Sequence, residues 1–308
     1  MSRYDALLVV SFGGPEKHED VIPFLENVLR GRNVPHERLL EVAEHYYHFD
    51  GRSPINDQNR ALIRALKERV ALPIYWGNRN WHPLLAETVR QMRDDGVRRA
   101  LAFVTSAFGS YSGCRQYIEN IAAARETAGE GAPIIDKIGP FSANPKFIDA
   151  VTERTRDVFR ELPDAALVFT AHSVPVAMAR SSPYVAELEQ ACASVAGALG
   201  RQDWKLVWQS RSGAPSQAWL EPDICDYLRQ LRRDVVIAPI GFLSDHMEVI
   251  YDLDVAARQV ADELGIRMAR ARTVETHPAV IEMIAEALEQ EHAPCELSCC
   301  ATYSMTRR

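Results

Sequence analysis

Two histidines and a row of carboxylates carry most of the chemistry this sequence could perform. His172 follows an apolar run between Ala171 and Ser173, and Asp245, His246, Glu248 and Asp252 follow a second such run. An imidazole with a carboxylate is a usual ligand set for a divalent cation of borderline softness such as iron or zinc. The same pair suits removal of a proton near neutral pH, since an unshifted histidine titrates at about 6.5. Taken alone, His172 is as readily a satisfied core histidine, and an acidic helix start is favoured by the helix macrodipole without any function. Glu248 and Asp252, four residues apart, share one face if the segment is helical. The tail holds a second constellation, in which Cys295, Cys299 and Cys300 place three of the chain's 6 cysteines close together. Closely spaced thiolates select zinc or an iron–sulfur cluster, and a fourth ligand is then required; a tail of free thiols is the remaining alternative.

These residues need a scaffold, and the sequence has one. Eight short apolar runs, at residues 6–12, 73–77, 100–105, 134–138, 166–170, 205–209, 235–239 and 267–271, read as strands. They alternate with helical patterns at 21–29, 56–70, 83–95, 115–127, 145–161, 183–199, 222–232 and 255–264. This alternation predicts an α/β fold with parallel sheets covered on both faces. Four strands precede residue 145 and four follow it, so two similar halves are expected, residues 1–145 and 146–271, each a four-stranded parallel sheet flanked by helices. Open parallel sheets bind ligands beyond the carboxyl ends of their strands. Four such ends are rich in chemistry: 11–15, 170–173, 208–213 and 241–248. The first of them, around Gly13-Gly14-Pro15, lacks the spacing of a phosphate loop and reads as a tight turn.

Composition narrows the classes further. The 308 residues are 47% hydrophobic and 25% charged, as in a globular protein rather than a disordered or fibrous one. Thirty-five Lys and Arg against 42 Asp and Glu give a net charge of -7, which speaks against a sequence-independent nucleic-acid footprint. No stretch approaches the roughly 18 apolar residues that a spanning helix needs, and the N-terminal apolar run is too short for a signal peptide. A cytoplasmic location is therefore expected. An even cysteine count in a chain of this length and location argues against a disulfide scaffold.

The order and separation of the motifs say more than each alone. Phe12-Gly13-Gly14-Pro15, Asp20-Val21, Pro23-Phe24-Leu25, Ser53-Pro54-Ile55, Thr170-Ala171-His172-Ser173-Val174-Pro175, Trp208-Gln209-Ser210, Trp219-Leu220-Glu221-Pro222 and Ser244-Asp245-His246-Met247-Glu248 through Asp254 resemble the ferrochelatase family along nearly the whole chain. The resemblance implies two Rossmann-like, chelatase-type halves with a porphyrin cleft between them, and insertion of Fe(II), a substrate, into a porphyrin in haem biosynthesis. It implies that His172 binds iron, accepts a pyrrole proton, or both, with Glu248 as its carboxylate partner. Phe12, Arg52, Ser53, Arg115 and Tyr117 become candidates for holding the porphyrin, the arginines and hydroxyls through its propionates. Some family members carry a tyrosine where Phe12 stands and a further carboxylate where Ala256 stands. Axial ligation of iron from the first position, and an auxiliary metal site on the helix, are therefore not expected here.

The basic segment 30–38, with Arg30, Arg32 and Arg38, is polar where members that work on protoporphyrin at a membrane carry an apolar lip, and it is similar to the actinobacterial branch. That implies coproporphyrin III, a water-soluble tetracarboxylate, as substrate and coprohaem as product; protoporphyrin IX is the alternative. A haem or iron–sulfur carrier on the same fold is the alternative of another class. Cys114 resembles the internal cysteine of family members with a [2Fe–2S] cluster, whose other ligands come from the tail. The resemblance thus implies a cluster on Cys114, Cys295, Cys299 and Cys300, with residues 272–308 packing back on the first half. Cys192 and Cys225 lie in helical patterns and read as small buried residues. A monomer is expected, with haem-pathway enzymes as partners and no membrane segment.

Overall fold

In a computed structural model of the 308-residue chain, residues 3–31, 35–213, 216–292 and 300 are described. Their strands and helices alternate as β1 (Ala6–Ser11), α1 (Val21–Val28), α2 (His36–Tyr47), α3 (Ile55–Lys67), β2 (Ile74–Asn78), α4 (Leu85–Asp94), β3 (Arg99–Val104), α5 (Gln116–Ala128) and β4 (Ile134–Lys137). The second run is α6 (Pro145–Phe159), β5 (Ala166–His172), α7 (Val176–Arg180), α8 (Tyr184–Ala198), β6 (Trp204–Gln209), α9 (Ile224–Leu231), β7 (Val235–Ala238), α10 (Met247–Val249), α11 (Arg258–Leu264), β8 (Met268–Arg270) and α12 (Pro278–Ala287). Two π-helical segments, Tyr111–Arg115 and Ile250–Ala257, interrupt this pattern.

The chain divides into two compact units. The first draws its described residues from Met1–Thr105, Tyr117–Ile138 and Ile284–Pro294, and the second from Ser106–Gln116, Gly139–Met283 and Cys295–Arg308. Each contains one four-stranded parallel sheet, ordered β2-β1-β3-β4 in the first and β6-β5-β7-β8 in the second. The central strands explain this placement. All six residues of β1 are buried, and β5 buries Ala166 through Ala171, as expected for parallel strands covered on both faces. Edge strands β4 and β8 are shorter and partly open. In the first unit β1 and β3 pack against α4 and α5 through Leu8, Val10, Val89, Met92, Ala102 and Ile121. In the second, Val168, Val207, Leu228, Ile237, Val249 and Leu253 form the corresponding core.

All eight expected strands are present. The α/β class and the two parallel four-stranded sheets are those expected from the sequence. Besides the three-residue α10, three helices lie outside the expected patterns. In α2 only Leu39 and Ala43 are buried, so its apolar stripe is too narrow to stand out among polar neighbours. The short α7 spans little more than one turn. In α12, Val280, Ile281, Ile284 and Ala287 are buried at helical spacing and Glu286 is exposed, so an amphipathic period is present in a short helix that follows the last strand. No described helix is long and apolar enough to cross a membrane.

Candidate active site

The strand order of the second unit reverses between β5 and β7, where an open parallel sheet presents a crevice beyond its strand ends. His172 is the last residue of β5, paired in register with Gln209 of β6. Glu248 lies in α10, on the connection that leaves β7. The sheet therefore delivers both residues to its switch point, and His172 Nε2 lies 3.6 Å from Glu248 Oε2. At that distance the contact is an ion pair rather than a hydrogen bond. About a third of the His172 side chain and half of the Glu248 side chain remain accessible, at 32% and 47%. Both are thus open to a reacting partner.

The imidazole is held by its surroundings. His172 Nδ1 lies 2.5 Å from the Ser173 carbonyl, which can only accept, so Nδ1 carries the proton and Nε2 faces Glu248 with its lone pair in the neutral ring. A metal-binding histidine is commonly oriented by this kind of bond. Tyr184 Oη donates to the His172 carbonyl at 3.0 Å, and Ser173 N donates to Gln209 O at 2.7 Å. Behind Glu248, Gln209 Nε2 donates to the Glu248 carbonyl at 3.1 Å and to Asp252 Oδ2 at 3.4 Å, while Ser210 Oγ donates to the same Asp252 oxygen. Gly241 makes the approach of the two strand ends possible: a Cβ there would stand 2.5 Å from Ala171 Cβ and 2.7 Å from Ala171 Cα.

Charges within the cluster separate its acids and bases. Burial works to lower the His172 pKa, but the Glu248 charge, the Ser173 carbonyl and Asp252 together hold it above the ordinary histidine value. For Glu248 burial works upward, yet His172 and His246 hold the carboxyl down at about 2. Burial also dominates at Asp252, which is pushed up to about 7 with help from the Glu248 charge, against the Ser210 hydrogen bond and His172. His246 is held below its usual value by burial, against the pull of Glu248. Its ring packs edge-on against Phe242 at 5.2 Å. Thus Glu248 is a carboxylate and Asp252 is half protonated near neutrality.

The first unit holds Phe12, Arg52, Ser53 and Tyr117. Gly13 turns the chain after β1 with φ +83, which favours glycine, and a Cβ at Gly14 would stand 2.8 Å from Ser53 Cβ. Ser53 itself is 3% exposed. Phe12 is among the exposed large apolar residues. Arg52 is exposed and ion-paired with Asp57. Tyr117 is buried beneath Arg79, whose guanidinium lies 4.6 Å from its ring centroid and 5.8 Å from that of Phe12. Of the basic segment, Arg30 donates to Asn27 and Arg38 pairs with Glu41 at 2.6 Å, while residues 32–34 lie outside the described residues.

Arg115, in the second unit, donates through Nη1 to the Cys300 carbonyl at 3.1 Å. Cys114 and Cys300 are each 2% exposed and carry no disulfide. Cys295 and Cys299 lie outside the described residues. Among the described residues no group of three or more His, Cys, Asp or Glu is placed to hold a metal ion. Cys192 is fully buried on α8 and Cys225 half-buried on α9.

Two residues near these clusters escape a reading by motif. Arg79 follows β2, a strand end whose polar and aromatic run Asn78-Arg79-Asn80-Trp81-His82 was signal enough to single it out. Tyr184 lies twelve residues beyond His172 at the start of α8, and nothing local in the sequence ties it to the His172 backbone.

Two parallel sheets of matching strand order, one with a histidine and a carboxylate at its switch point, define a chelatase-type α/β protein. The solved structure titled "SirB from Bacillus subtilis with Fe3+" shares this fold, with a TM-score of 0.57 at 12% identity over 91% of this chain and 92% of that one. The sequence profile described as Ferrochelatase matches residues 4–292. A relative from Rhodopirellula baltica named "Ferrochelatase" is 54% identical over 91% of this chain and 84% of its own length. One from Mycobacterium avium named "Coproporphyrin III ferrochelatase" is 50% identical over 93% and 88%. The chain belongs to the ferrochelatase family, and with it to the metal chelatases.

Proposed function

We propose that this enzyme inserts Fe(II) into coproporphyrin III to give coprohaem, with His172 and Glu248 as its reactive pair. The observation that carries the reading is the meeting of these two side chains at the β5–β7 switch point in a chain of this family. Relatives about half identical to this chain, from Mycobacterium avium and Mycobacteroides abscessus, bear the name "Coproporphyrin III ferrochelatase", which supports the choice of porphyrin. The arginines of the segment 30–38 offer cations to a substrate with four carboxylates, despite the net charge of -7.

Metal insertion replaces two pyrrole N–H protons by one Fe(II), so charge balances without any change of oxidation state. Glu248, ionised at any ordinary pH, offers the incoming cation a hard oxygen ligand. Once its own proton is lost, His172 Nε2 accepts the two pyrrole protons in turn and releases each to water. A pair of ligands leaves the remaining coordination positions of the ion to water and then to macrocycle nitrogens, which suits an ion that must be passed on. Ser53, Tyr117, Arg52 and Arg115 are proposed to hold propionates, and Phe12 to meet the macrocycle face.

The four thiols proposed to hold a [2Fe–2S] cluster are Cys114, Cys295, Cys299 and Cys300. The two described ones fit: both are buried and outside any disulfide, and the Arg115 bond joins the segment bearing Cys114 to the Cys300 backbone. Such a group supplies a cross-link between distant parts of the chain, with no electron needed for insertion. The enzyme is proposed to work as a cytoplasmic monomer between other haem-pathway enzymes.

The test is anaerobic turnover of Fe(II) with each porphyrin. Faster insertion into coproporphyrin III than into protoporphyrin IX is expected, and equal or faster turnover of protoporphyrin would overturn the substrate. Tight tetrapyrrole binding without turnover would favour a carrier. For the cluster, freshly isolated protein should absorb in the visible and contain iron and sulfide in equal amounts, and Cys114→Ser should remove both.

A further inference from the structure

Among the described residues the Glu248 carboxylate meets one side-chain partner, His172, at 3.6 Å. Its position is therefore set by the backbone that carries it rather than by its own bonds. That backbone is unusual, because α10 has three residues and runs at once into the π-helix Ile250–Ala257. A π-helix is a rare way to continue an α-helix, frequent at functional sites, and here it is supported from outside.

The support converges on Arg270, the last residue of the edge strand β8. Its Nη1 donates to Asp245 Oδ1 at 2.8 Å, and its Nε and Nη2 reach both oxygens of Asp254 at 2.6 and 2.7 Å. Asp245 precedes Glu248 by three residues, and Asp254 follows it by six, inside the π-helix. One guanidinium thus grips both ends of the segment that presents Glu248 and Asp252. The Arg270 and Asp245 side chains are 12% and 11% exposed, so their bonds are little competed by water, while Asp254 is 39% exposed. Asp245 Oδ1 also lies 3.4 Å from Thr273 N, which fixes the inner end of the grip to the backbone after β8. A second tie, Arg258 Nη1 to Met268 O at 2.6 Å, joins the start of α11 to the same strand. A bidentate arginine fork fixes direction as well as distance, which a lysine cannot do.

We infer that Arg270 is a positioning residue for metal insertion, clamping Asp245 and Asp254 so that Glu248 is held at the distance from His172 that the reaction requires. The inference rests on the proposed role of Glu248. It adds that β8, a strand bearing no reactive group, sets the geometry of the site. A misplacement of about 1 Å can cost on the order of a hundredfold in rate.

Five variants of the full chain test it: Arg270→Lys, Arg270→Met, Asp254→Asn, Glu248→Gln and the double variant Arg270→Met with Glu248→Gln. Arg270→Lys and Asp254→Asn are expected to fold, to lower kcat roughly 10- to 100-fold, and to leave KM for the porphyrin within about twofold. In the double variant, loss of Arg270 should add little to the loss caused by Glu248→Gln, because both act through one group. If the two losses multiply, or if Asp254→Asn and Arg270→Lys keep kcat while only thermal stability falls, Arg270 serves the fold alone and the inference fails. If Glu248→Gln by itself retains full turnover, the proposed role of Glu248 is wrong, an outcome distinct from failure of the clamp. Should Arg270→Met not fold, Asp254→Asn combined with Glu248→Gln provides the same comparison.

Discussion

The reactive pair is defined by an asymmetry that only the three-dimensional neighbourhood supplies. Sequence order could name His172 and Glu248, but could not say that Glu248 is held at about 2 while Asp252, four residues on, is lifted to about 7. Replacing His172 by Ala or Glu248 by Gln is expected to lower turnover about 10²- to 10⁴-fold, with circular dichroism unchanged. The acid limb of kcat/KM should lie above the ordinary histidine value, since His172 must lose its proton before it can accept one. Glu248→Gln removes the charge that keeps His172 protonated, so the acid limb of the residual activity should move to lower pH. An unchanged limb would mean that another group sets it. Asp252 gives a stability signature. Its carboxyl keeps a proton in the folded state between its unfolded value near 3.8 and about 7, where the unfolded chain has lost it. Stability therefore falls as pH rises through that window. Asp252→Asn should flatten the slope, with a higher melting temperature than the parent at pH 8 and a similar one near pH 4. Tyr184 was hidden for a different reason: its importance lies in a contact with the His172 backbone, across 12 residues of sequence.

At the scale of elements, strands were legible because their burial is nearly complete. Six buried residues in β1 leave little ambiguity about what ALLVVS must be. Helix α12 was legible too, since Val280, Ile281, Ile284 and Ala287 are buried at helical spacing while Glu286 is exposed. The π-helix is harder still, because Ile250–Ala257 has ordinary helix-forming residues and only the register of its hydrogen bonds is changed. The junction of β5 and β7 is where packing and chemistry meet. Gly241→Ala should force the β7 connection away from Ala171, costing about 1–3 kcal/mol in urea denaturation and lowering turnover as well. Normal stability with normal turnover would show that the connection adapts without moving Glu248.

The whole molecule is built from two sheets with one topology, and that much followed from counting four strands on each side of residue 145. The membership of the units is less orderly. Ser106–Gln116 belongs with the second unit although strands of the first precede and follow it in sequence, and Ile284–Pro294 belongs with the first although it follows all eight strands. Local periodicity carries no information about such returns. A chain ending at Met283 would lack Ile284, Ala287 and Leu288, all buried. Its loss of stability should be at least about 3 kcal/mol, read as a lower melting temperature, and an unchanged melt would show that the segment is dispensable.

The return of Ile284–Pro294 bears on how the protein is made. Arg3 pairs with Glu291 at 2.7 Å, and the Tyr4 ring lies 6.4 Å from that of His292, so the first described residues wait for nearly the last. A ribosome adding about 5–20 residues per second delivers those partners many seconds after β1 has emerged. During that interval the first sheet is assembled without its closing segment. The first unit thus stays unfinished until a segment that follows all eight strands has been made.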